Sequence, residues 1–121
     1  MASDETGIQA ETQIAVFTSA DAAGFPTPGP AARQHSTMTS GDGRFETGYY
    51  QVGPEHEEYF DTGYANDEFC YILTGSVVLT AANGTVNTIR PGDAVTIPRG
   101  WKGRWDSDGY TKLWVIYHAR P

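Results

Sequence analysis

The chain has 121 residues, 39% of them hydrophobic and 12% aromatic, which suits a single domain burying roughly two-thirds of its unfolded surface. Eight Lys and Arg against 15 Asp and Glu give a formal net charge of −7, which excludes phosphate backbones and anionic lipid from the expected partners. The charges are spread along the sequence and read as a solvated surface rather than an acidic tail.

Residues 1–7 carry neither a basic n-region nor an apolar h-region, so they are not read as a secretory signal. Residues 1–13 are polar and read as a frayed end. Residues 14–17 are apolar enough for a short strand. Residues 20–30 bring Gly24, Pro26, Pro28, Gly29 and Pro30, and prolines at this density forbid a helix and withhold ladder donors. That stretch reads as an extended arm, docked on the body through Phe17 and Phe25. Gly41-Asp42-Gly43 is a turn.

From Gly48 onward the pattern is β. Strands are expected at 49–52 and 56–61, with a turn at 64–67. Residues 69–80 are rich in β-branched and aromatic side chains and are interrupted at Gly75. Asn83-Gly84 suits a type I′ turn. A strand at 86–89, a turn at 90–93, and strands at 94–97 and 113–117 complete the series. No segment shows a 3.6-residue apolar period. Short strands with turn residues between them predict an antiparallel sandwich or barrel. The division expected is an arm over 1–45 and a barrel over 46–121.

Cys70 is the only cysteine, so no intrachain disulfide forms, and no run approaches the roughly 18 apolar residues of a membrane span. The expectation is a soluble protein of a reducing cytoplasm. There is no phosphate-binding Gly-x-x-x-x-Gly-Lys loop, no Cys-x-x-Cys and no Gly-x-Ser-x-Gly elbow.

Two motifs stand out. Glu68 is followed after six residues by Gly75, and Gly92 after five by Pro98-Arg99-Gly100. In that order on short strands they resemble the signature motifs of the cupin superfamily. With Tyr71, Leu73, Asp93, Trp101, Trp105 and Lys112 they are similar to the group containing the cupin domain of (S)-ureidoglycine aminohydrolase, related to an ethanolamine-utilisation cupin. The resemblance covers about residues 48–117. It implies an all-β, cupin-type jelly-roll β-barrel. It also implies a three-histidine metal site, whose positions fall here on Asp61 and Gly63, or Thr62 and Tyr64, and on Gly103. Only the glutamate is present, so no metal site is expected; a divalent ion held by Glu68 with His56 is the minor alternative.

Glu68, in the orientation the resemblance implies, points into the barrel and needs a partner. Lys112 supplies one by strand parity, sharing a face with Trp114, Ile116 and His118; Arg104 is the other choice. The competing reading leaves Glu68 at a strand end in water with Lys112 at the rim. Cys70 shares the Glu68 face and reads chiefly as a small buried hydrophobe, since the neighbouring carboxylate raises its pKa; the lesser reading is a nucleophile or soft-metal ligand. Tyr71, Trp101, Trp105 and Tyr117 are candidates for a ligand pocket. Arg99, Lys102 and Arg104 form a basic cluster suited to drawing a carboxylate to the mouth.

The expected site is therefore Glu68 and Lys112 at the centre, with Tyr71, Trp105, Arg104 and Cys70 touching a carboxylate or ureide ligand. Three functions stay open: a small-molecule-binding cupin, a lyase or hydrolase on a small nitrogenous or carboxylate substrate, and a protein-binding module. A homodimer through the arm and an edge strand is expected.

Overall fold

The computed structural model describes residues 14–23 and 33–119. Among them are a short helix, α1 (Ser19–Ala23), and nine strands. The strands are β1 (Arg33–Thr39), β2 (Phe45–Val52), β3 (His56–Phe60), β4 (Asp67–Gly75), β5 (Val77–Ala81), β6 (Val86–Ile89), β7 (Ala94–Ile97), β8 (Gly103–Ser107) and β9 (Tyr110–Tyr117). They make a five-stranded sheet ordered β1-β2-β9-β4-β7 and a four-stranded sheet ordered β3-β8-β5-β6. Every pairing is antiparallel. This is the all-β jelly-roll barrel anticipated above.

Alternation along β4 shows how the sequence chooses its faces. Glu68, Cys70 and Ile72 are buried while Asp67, Phe69 and Tyr71 are exposed. A strand reverses its side-chain direction at every residue, so one buried position fixes the rest. Ile72, Val77, Leu79, Ile89 and Ile97 pack with Val52, Cys70, Trp105 and Tyr110 into a single cluster. Each aliphatic member contributes about 1.5–3 kcal/mol by leaving water.

Two glycines are dictated by close approach. Gly48 on β2 lies opposite Trp114 on β9, and a Cβ there would run into the indole and the His35 carbonyl. Gly75 ends β4 with φ of 75°, its open side filled by the Gly109 carbonyl. In the β6–β7 turn the Asp93 N–H donates to the Arg90 carbonyl at 2.8 Å, and Gly92 takes the left-handed φ of 88° that follows a proline in such a turn.

Several expectations are corrected. Residues 14–17 form no strand; the Phe17 ring instead stacks on Tyr49, centroids 4.9 Å apart. Residues 20–23, expected in an extended arm, belong to α1. Thr18 and Asp21 explain it: each side-chain oxygen accepts from the other residue's N–H, at 2.9 and 3.0 Å, a reciprocal cap that closes one turn. Residues 1–13 and 24–30, also read above, lie outside the described residues. The turn before β6 is not type I′, because Gly84 but not Asn83 has positive φ. The Gly84 N–H donates to the Ala81 carbonyl and the Ala81 N–H to Thr85, the three-residue hairpin with a glycine bulge.

Strands β1 and β8 were not anticipated. The first has a polar sequence and becomes a strand only by pairing along β2, with a bulge between Ser36 and Met38. It lies ahead of residue 46, where the arm was divided from the barrel. Among the described residues no helix is long and apolar enough to cross a membrane.

Candidate functional site

Strands β4 and β9 are neighbours in the larger sheet, with Cys70 opposite Trp114 and Ile72 opposite Lys112. Glu68 and Lys112 therefore share the inner face, offset along their strands, and the lysine stem reaches past Cys70 to the carboxylate. The Lys112 Nζ donates to Glu68 Oε2 at 2.7 Å and to Cys70 Sγ at 3.4 Å. The Cys70 thiol donates to the same carboxylate oxygen at 3.2 Å. The Tyr64 hydroxyl donates to Glu68 Oε1 at 2.5 Å, the short length typical of a charge-assisted O–H···O⁻ bond. Glu68 and Lys112 are only 7% and 6% exposed, so the pair lies inside the barrel and not at a wet strand end.

Burial alone would push the Glu68 carboxyl up. The Lys112 charge and the hydrogen bonds from Lys112, Tyr64 and Cys70 outweigh it and hold the group below the ordinary carboxylate range. Burial likewise works to strip Lys112 of its proton, and its interactions with Cys70 and Glu68 more than restore it. Glu68 is the partner that carries charge at neutral pH, because burial foremost pushes the Cys70 thiol up to about 12. Tyr64 is also driven well above the ordinary phenol value, by burial first and then by Glu68. The centre is thus an ammonium–carboxylate pair flanked by a neutral thiol and a neutral phenol.

Above this pair the two sheets part around a cavity of about 210 Å³. Its walls are aromatic: Tyr50, Phe60, Tyr64, Trp105, Tyr110 and Trp114. The Lys112 ammonium lies over the Trp105 ring, 4.6 Å from its centroid, and 5.4 Å from that of Tyr50. Such contacts stabilise a buried cation by about 1–2 kcal/mol. The Trp105 indole N–H is buried without a hydrogen-bond partner among the described residues.

The structure brings together four of the six residues singled out from sequence: Glu68, Lys112, Cys70 and Trp105. Tyr71 and Arg104 stand apart. Tyr71 is 38% exposed on the outer face of β4, since it differs in parity from Glu68. Arg104 differs in parity from Trp105, so it faces out and pairs with Asp106 at 2.7 Å, not with Glu68. The neighbours of that basic cluster, Arg99 and Lys102, are exposed as well. The three histidines lie in separate places. His35 stands beside Phe17, and His118 meets Glu46 at 2.7 Å. His56 meets Glu58 at 2.9 Å rather than reaching Glu68.

Sequence reasoning passed over Tyr64, Tyr50, Tyr110 and Glu58. Tyr64 was readable in part, since it occupies one of the positions where the resemblance implies a histidine. It is fixed by its own backbone, which accepts from Gly100 and donates to Trp101 in the Pro98–Trp101 turn. The other three converge from different strands, and only the register joins them.

A metal centre of the kind the resemblance implies does not fit these residues. A divalent ion at Glu68 would meet the Lys112 ammonium already seated on the carboxylate, with a phenol in place of an imidazole. Among the described residues no group of three His, Cys, Asp or Glu converges on a common point.

Comparison with known proteins accords with the jelly-roll fold. The chain spans 74% of itself and 70% of a Clostridium difficile EutQ protein, at 20% identity and a TM-score of 0.62. It covers 88% of itself and 99% of a Rhizobium leguminosarum protein of unknown function, at 25% identity and a TM-score of 0.67. It covers 78% of itself and 84% of a cupin superfamily protein from Desulfitobacterium hafniense, at 13% identity and a TM-score of 0.64. No curated protein matches the chain. Residues 39–112, more than half of the sequence, match the family model of the EutQ-like cupin domain, and the chain belongs to that family.

Proposed function

We propose that this protein is a small-molecule-binding cupin whose cavity is organised by the Glu68–Lys112 pair and works without a resident metal. The observation that carries the reading is the buried pair beneath an aromatic cavity. A designed core would gain more from apolar residues at these positions, so an ion pair there is expected to have a further use. Glu68 is a positioning group in this account. Three donors depress its basicity and occupy its oxygens, which makes it a poor general base. Lys112 has a third N–H beyond those given to Glu68 and Cys70, and the ligand accepts it.

A second reading, drawn from the sequence motifs alone, is hydrolysis or elimination on a small nitrogenous substrate. Lys112, held charged, would then stabilise a developing oxyanion. A cytoplasmic setting suits both readings.

Isothermal titration with small amines, amides, ureides and carboxylates tests the proposal. The control is Gln34→Trp, which fills the rim of the cavity from an exposed position on β1. Binding that Gln34→Trp removes supports the cavity. Binding that it leaves intact, or stoichiometric transition metal in the purified protein, contradicts the proposal.

A further inference from the structure

The charged residues lining the cavity are Glu58, Glu68 and Lys112, and they are unevenly disposed. Glu68 and Lys112 neutralise each other at the floor through their 2.7 Å contact. Glu58 is left over. It lies on β3, an edge of the smaller sheet, directly opposite Trp105 on β8. Residues opposite each other in a ladder project to the same side, so Glu58 points between the sheets as Trp105 does. Its side chain is 48% exposed, which places it at the rim.

The surroundings of Glu58 suit a cation. Tyr50 and Tyr110 stand with ring centroids 5.8 Å apart, and Trp105 is 5.7 Å from Tyr110. Glu58 lines the same cavity as both phenols, whose pKa values are raised, by burial first. His56 engages Glu58 Oε1 at 2.9 Å, and no hydrogen bond among the described residues engages Oε2. The residues lining the cavity carry a formal charge of −1, and their one cation is already paired.

Resting on the binding-cavity reading above, we propose that the ligand is a small amine. Its ammonium sits at the rim against Glu58 and the faces of Tyr50 and Tyr110. An oxygen at its other end accepts the remaining N–H of Lys112. A simple carboxylate, which the basic residues near Arg104 had suggested, enters a net-negative cavity whose lysine is taken. Arg104 faces away from the cavity, and Arg99 and Lys102 are not among its lining residues.

The test is isothermal titration of propanolamine, propylamine and propanoate against the wild-type protein, Glu58→Gln and Gln34→Trp. The expected order of affinity is propanolamine, then propylamine, then propanoate. A partly exposed ion pair contributes about two- to fivefold in affinity, so Glu58→Gln weakens both amines by about that factor and leaves propanoate unchanged or tighter. Propanoate binding more tightly than propylamine overturns the inference, as do amine affinities indifferent to Glu58→Gln. If Gln34→Trp still abolishes binding in those cases, the cavity reading stands and only the amine is lost. No binding of any probe at millimolar concentration also overturns the inference. Glu58 is exposed, so Glu58→Gln folds, and its unchanged melting temperature is the control.

Discussion

Replacing Lys112 by methionine keeps most of the side-chain volume and removes the charge. Glu68, 7% exposed, then keeps only the Tyr64 and Cys70 donors. Breaking a buried pair from one side costs about 3–5 kcal/mol, because the surviving charge is left uncompensated. A domain of this size has a total stability of about 5–15 kcal/mol, and each kcal/mol moves the melting temperature by about 3–6 °C. Lys112→Met is therefore expected to melt about 10–25 °C below wild type at neutral pH. The double variant Glu68→Gln/Lys112→Met has no orphan charge and recovers at least half of that loss. Acid supplies a second signature. Without Lys112, burial raises Glu68 and protonation relieves it, so the deficit shrinks as pH falls toward 4.5, the ordinary carboxylate value. Urea and thermal unfolding of the four proteins at two pH values measures all of this. A Lys112→Met loss under about 1 kcal/mol, or single losses that simply add, refutes the reasoning.

In the wild type, Glu68 titrates below its unfolded value, so its contribution is full above that value and lost as pH falls through the folded one; urea midpoints should drop on the acid side of 4.5. Lys112 titrates above its unfolded value of 10.5, so its contribution is full below that and lost only as pH rises beyond it; midpoints should hold up to about that pH before falling. Cys70, fully buried with a thiol pushed up to about 12, should resist an aromatic disulfide reagent at pH 8 in the folded protein and react at once in urea. Gly48→Ala forces a methyl into the Trp114 ring and should cost about 2–4 kcal/mol in urea unfolding, whereas Gly84→Ala, with open space at its Cβ, should cost only about 1 for its positive φ.

The barrel was legible because its signals are local. Glu68 to Gly75 alternates along one strand, and Gly92 and Gly100 each sit at a left-handed turn position that glycine favours. Lys112 was named from the resemblance and as a cation for Glu68, and strand parity placed it on the face of Trp114. The same rule, applied from Glu68 and from Trp105, would have turned Tyr71 and Arg104 outward. They were kept for their chemistry, which says nothing about direction. Strand β8 escaped notice because Gly103, Asp106 and Ser107 are weak strand formers that β3 and β5 hold on either side. The cavity itself was least legible. Tyr50, Glu58 and Tyr110 meet only through cross-strand register, and Tyr64 joins them through its backbone bonds to the turn at Gly100 and Trp101.

The central claim is that a cation, not a metal site, holds Glu68 ionised inside the barrel. Carboxyl-detected NMR of glutamate-labelled protein, titrated through the acid range, measures it directly. The account predicts a Glu68 resonance that titrates below the ordinary value in the wild type and above it in Lys112→Met. A Glu68 that titrates at or above the ordinary value with Lys112 in place, or one unmoved by Lys112→Met, would contradict it.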